Sequence, residues 1–109
     1  MNPLETFVAD GDRLCFDDLL LSYNLAKPSS TSYTLQAYDA KSRRVGTAMT
    51  MPAGANGHTC APLRLATGGD RYTIMRIDTQ RTRSAGTIYV HVAADPKTGA
   101  PRVIGIWRP

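Results

Sequence analysis

The chain is poor in almost every feature that marks a known chemistry. It has no apolar run longer than Leu19-Leu20-Leu21, where a spanning helix needs about 18 or more apolar residues, so no membrane insertion is expected. It has one glutamate, Glu5, two histidines, two cysteines and one tryptophan. A single Glu leaves paired-carboxylate chemistry to aspartates, most of which fall in turn-like segments. A metal centre would have to draw on Cys15, His58, Cys60 and His91. His58-Thr59-Cys60 is not a standard ligand spacing and no C-x-x-C pair exists, so neither a metal nor another cofactor is expected. No Gly-x-Ser-x-Gly elbow, phosphate loop or dinucleotide fingerprint occurs, and no catalytic residue is assigned.

What is present fits one small domain over residues 1–109. The chain is 42% hydrophobic and 20% charged, which is ordinary globular usage and excludes wholesale disorder or a rod. Its start lacks the basic and apolar regions of a signal peptide. The expectation is a cytoplasmic location if Met1 is the native start, and export if the chain is an excised module. Charge is uneven: residues 1–39 carry two basic against six acidic groups, and residues 40–109 eleven against three. A basic body of this kind suits an anionic partner, unless the acidic segment packs against it and cancels the field.

Periodicity gives the elements. Phe16, Leu19, Leu20 and Tyr23 fall at i, i+3, i+4 and i+7, which predicts a helix over 16–25 within a helical segment 1–28, capped by Asp17 and Asp18 and stopped by Lys27-Pro28. After Ser29-Ser30-Thr31-Ser32 the period changes to two. Residues 33–38 and 45–51 read as a hairpin, 63–66 as a short strand, and 72–79, 87–93 and 102–107 as three more strands. Their connections are too short for parallel crossovers. The expected fold is mainly β: an antiparallel sandwich or small barrel of about six strands with one short helix. The expected core is Phe16, Leu20, Leu35, Val45, Leu63, Leu65, Ile74, Ile77, Ile88, Val90, Val92, Val103 and Ile106. Strands 33–39 and 102–107 are the expected sheet edges.

The candidate binding residues are Arg76, Tyr89, His91 and Trp107. Trp107 lies two residues from the end of the sequence, where chains normally fray, so it is either anchored in the core or part of a contact surface. The leading expectation is a non-enzymatic module that binds a protein partner or a second copy of itself. A nucleic-acid binder is the alternative, because Arg64, Arg71, Arg76, Arg81 and Arg83 gather in sequence around Tyr72 and arginine beside tyrosine on a sheet suits single strands. An enzyme built on His91, Asp78 and Arg76 is the third reading. The cysteines either pair, which would indicate an oxidising compartment, or stay as small buried hydrophobes.

The segments Tyr72-Thr73-Ile74-Met75-Arg76-Ile77-Asp78-Thr79, Ile88-Tyr89-Val90-His91-Val92 and Arg102-Val103-Ile104-Gly105-Ile106-Trp107-Arg108-Pro109 carry one resemblance. They are similar to the C-terminal β-module of a group of uncharacterised bacterial proteins that end in the pattern V-R-I…V-H-V…R-V-V-G-I-x-R. The resemblance covers about forty residues of the 109 and carries no activity with it. It implies that Arg76, His91 and Gly105 are the positions to inspect, and that the chain is the last domain of a longer protein.

Overall fold

The computed structural model describes residues 7–17, 30–52, 58–65, 71–81 and 85–107. Among them the chain forms eight strands and no helix: β1 Phe7–Asp10, β2 Arg13–Asp17, β3 Ser30–Tyr38, β4 Arg44–Pro52, β5 His58–Pro62, β6 Tyr72–Arg81, β7 Ala85–Ala94 and β8 Pro101–Trp107. They make two sheets, one of order β1-β2-β5 and one of order β4-β3-β6-β7-β8. Every pairing is antiparallel. Prolines stand at the ends of β4 and β5 and at the start of β8, where a missing amide donor does not interrupt a ladder.

The pleat sorts the side chains. Because neighbours in register share a face, the larger sheet presents inward rows that run across its strands. Met49, Leu35, Ile77 and Ile88 form one row, and Val45, Ala37, Met75, Val90 and Ile106 the next. The smaller sheet answers with Phe7, Phe16 and Thr59 and with Ala9, Leu14 and Ala61. Leu14, Tyr33, Ile77, Val90 and Val92 are fully buried. The sheets meet at Phe16, whose ring lies edge-on to Tyr33 at 5.0 Å and beside Phe7 at 5.8 Å.

Several expectations change. The predicted helix over 16–25 is not found where it can be checked: Phe16 and Asp17 belong to β2, and residues 18–25 lie outside the described residues. The supposed helical segment 1–28 instead contributes a hairpin of β1 and β2. Its two-residue turn, Gly11-Asp12, needs a positive φ, and Gly11 supplies one of 60° at little steric cost. Leu63 and Leu65 follow β5 rather than forming a strand, although Leu63 is buried. β3 is not an edge, since β4 covers it; β8 is the last strand of its sheet. Ile74 leaves the core. It stands three positions from Ile77, and an odd spacing in a strand puts two side chains on opposite faces. Leu20 lies outside the described residues.

Cys15 and Cys60 are paired in a disulfide. They are register partners on the outward face of the smaller sheet. The bond closes a separation of 45 residues, which constrains the unfolded chain by about 3–4 kcal/mol on the chain-entropy account. A bulge between Leu35 and Ala37 interrupts the β3–β4 ladder. There Gly46 takes a φ of 73°, and the Gln36 amide donates to the carbonyls of Val45 and Gly46 at 3.4 and 3.2 Å.

Two aspartates organise the turns on either side of this sheet. Asp39 accepts the amides of Lys41 and Arg43, each at 2.9 Å, and the Arg43 guanidinium at 2.8 Å. Asp95 accepts the amides of Lys97 and Thr98 at 2.8 and 3.0 Å, with Arg102 at 3.4 Å. These bonds, the Arg43 amide first for Asp39 and the Lys97 amide first for Asp95, hold both carboxyls below the ordinary 3.8. A lowered carboxyl stabilises the folded state above its unfolded-chain pKa and ceases to do so as pH falls through the folded value. The Lys41, Arg43, Lys97 and Thr98 amide resonances should therefore titrate with midpoints below 3.8; midpoints at or above it would show the turns to be open. Packing gives a second prediction. Ile77→Ala should cost about 2–5 kcal/mol in denaturant unfolding, whereas Ile74→Ala should cost under about 1 kcal/mol. Equal losses would contradict the assigned faces.

Candidate binding face

The outward rows of the larger sheet are aromatic and cationic where the inward rows are aliphatic. Gln36, Arg76, Tyr89 and Trp107 form one row across β3, β6, β7 and β8, and Tyr38, Ile74, His91 and Gly105 the next. All four sequence candidates thus stand on one face. Trp107 is 56% exposed and stacks on Tyr89, with ring centroids 5.1 Å apart and planes inclined by 28°. The Arg76 guanidinium lies 5.9 Å from the Tyr89 centroid on the same row, within cation–π range. Of the two outcomes open to Trp107, the structure shows surface and not core. Its neighbour Ile106 turns inward to pack on the core instead.

A groove of about 360 Å³ opens beside the stack, lined by Tyr38, Ser42, Ile74, Tyr89, His91 and Trp107. Sequence reasoning missed Tyr38, Ile74 and Ser42. Tyr38 and Ile74 were recoverable from parity, since both share the face of His91, but Ser42 belongs to the β3–β4 turn and reaches the groove only through tertiary folding. Tyr72, also on this face, shares a hydrogen bond with His91 Nδ1. Burial raises the Tyr72 hydroxyl above its ordinary 10.0, so near neutral pH it stays protonated. That bond fixes the ring and leaves Nε2 as its second polar atom.

The charges on the face are mostly engaged. Arg76 Nε donates to Asp78 at 3.1 and 3.3 Å, and Asp78 also accepts the Thr87 hydroxyl at 2.6 Å. The charge of Asp78 is the leading reason that Arg76 is raised still further above its ordinary value. Arg102 is paired with Asp95, and Arg44 is exposed at the end of the Tyr38 row. The arginines clustered in sequence do not cluster here. Arg64 borders a second cavity, of about 490 Å³, between β4 and Leu63, and Arg83 lies outside the described residues. Nor do His91 and Asp78 meet. Asp78 pairs in register with Thr87, four residues along β7 from His91, or about 13 Å.

Gly105 pairs with His91 in register, and the approach expected there is present but not tight. A Cβ built on Gly105 would meet the His91 side chain at 3.8 Å, an ordinary contact. No family model matches the chain, and no curated protein or solved structure matches it. Gly105→Ala should accordingly fold and be neutral, or stabilise by up to about 0.5–1 kcal/mol, the usual advantage of alanine over glycine within a strand. A loss of more than about 1 kcal/mol in denaturant unfolding would mean that His91 packs closer than described.

Proposed function

We propose that the chain is a non-enzymatic interaction module that takes a protein partner on the outer face of the larger sheet. The observation that carries this reading is the exposed Trp107, stacked on Tyr89 at the wall of an apolar groove. Tryptophan, tyrosine and arginine are the residues that concentrate binding energy at protein interfaces. Stacking and the Tyr72–His91 bond already restrict these side chains, so less rotamer freedom is lost on association. β8, the last strand of its sheet, borders the groove through Trp107.

Nucleic-acid binding is the second reading, favoured by the Arg76–Tyr89–Trp107 ladder. It is the weaker one, because Arg76 and Arg102 both hold carboxylates and a phosphate would have to displace them. The resemblance to the C-terminal modules of bacterial proteins fits the same proposal, since Arg76, His91 and Gly105 all belong to this face.

Trp107 is the chain's only tryptophan, so its emission reports directly on the face. Peptides selected from a random displayed library should shift that emission and lose at least about 2 kcal/mol of affinity on Trp107→Ala. Peptides that bind Trp107→Ala as well as the parent would contradict the proposal. So would an oligonucleotide that quenches Trp107 with affinity falling steeply as salt rises.

A further inference from the structure

The smaller sheet holds a second arrangement, on the far side of the core from the aromatic face. Cys15 and Cys60 face each other across β2 and β5, and His58 lies two residues before Cys60 on the same face of β5. Its Nε2 is 3.7 Å from Cys60 Sγ. The two sulfurs and the imidazole nitrogen all lie within 4.8 Å of one another, with both cysteines half-buried and His58 exposed. The linear spacing gave no hint of this set, because the third donor comes from a strand 43 positions earlier than His58 in the chain.

We propose that these three residues form a redox-gated zinc site: a disulfide when oxidised, and a two-thiolate, one-imidazole ligand set when reduced. The distances suit the metal. Zinc bonds of 2.3 Å to sulfur and 2.0 Å to nitrogen at a tetrahedral angle place those donors about 3.5 Å apart, close to the 3.7 Å between His58 and Cys60. Two zinc-bound sulfurs stand about 3.8 Å apart, a separation that cross-strand neighbours reach once the S–S bond is broken. In the reductive step an external dithiol breaks the Cys15–Cys60 bond by thiol–disulfide exchange. It supplies two electrons and two protons and closes to its own disulfide. Zinc binding then displaces the two thiol protons to solvent, His58 donates its neutral nitrogen, and water completes the fourth position.

The site is independent of the aromatic face, so its test is separate. The full chain is reduced, freed of reductant under argon and titrated with Co2+, whose thiolate complexes absorb strongly in the near ultraviolet. One Co2+ per chain should bind with that absorption and be displaced by Zn2+, while the oxidised chain should show none. His58→Ala keeps both cysteines, and as an exposed substitution leaves the fold in place. It should weaken binding by at least about tenfold, the loss seen when even a hydrogen-bonding neighbour of a metal ligand is removed. A reduced chain without the cobalt–thiolate absorption, folded or unfolded, overturns the proposal, and so does His58→Ala binding with parental affinity.

Discussion

The structure depends on the alternation of side chains across the five-stranded sheet, interrupted only where bulges reset it. A slip of one residue in any strand would exchange its buried and exposed sets. In β8 such a slip would push Trp107 inward and expose Ile106. The aliphatic inward rows fix which side each strand turns to the core, because only that parity buries Leu35, Ile77, Ile88, Val90 and Val92 together. The aromatic face is the consequence: once those residues are placed, Arg76, Tyr89, His91 and Trp107 have only the other side to occupy. Bulges in β3–β4 and β7–β8 shift the register locally, and the second places Gly105 beside His91 and Trp107 beside Tyr89.

The smaller sheet plays a different part. Its inner face closes the core through Phe7, Leu14, Phe16 and Ala61, while its outer face carries the disulfide and His58. The two halves of the molecule thus hold distinct chemistry on opposite surfaces, joined by a shared apolar interior. Opening the disulfide would remove a covalent tie between β2 and β5 but not their ladder, which pairs all five residues of each strand.

Much of this was legible in the chain. The runs around Ile77 and Val90 alternate cleanly and that around Ile106 reads as a strand despite its bulge, the antiparallel order follows from the short connections, and the four candidate binding residues prove to share a face. The failures have identifiable causes. Phe16, Leu19, Leu20 and Tyr23 satisfy a helical stripe, yet Phe16 is held in a strand by pairing with Phe7 and Thr59, contacts that a local pattern does not contain. Ile74 is hydrophobic enough to read as core, but its parity puts it on the outer face. Tyr33 and Met75 are buried but give little signal of it in the sequence, because a tyrosine or a methionine reads weakly beside valine and isoleucine. Cysteine pairing was open until the β2–β5 register was known. His58 could not be joined to Cys15 by any spacing rule.

Proton–proton cross-relaxation at the Trp107 ring is the most direct measurement of the alternation. The account predicts cross-peaks from the indole to the Tyr89 ring and to His91, with none to Val90, Val92 or Phe16. Cross-peaks from the indole to those core residues would place Trp107 on the inner face and contradict both the register of β8 and the binding face that depends on it.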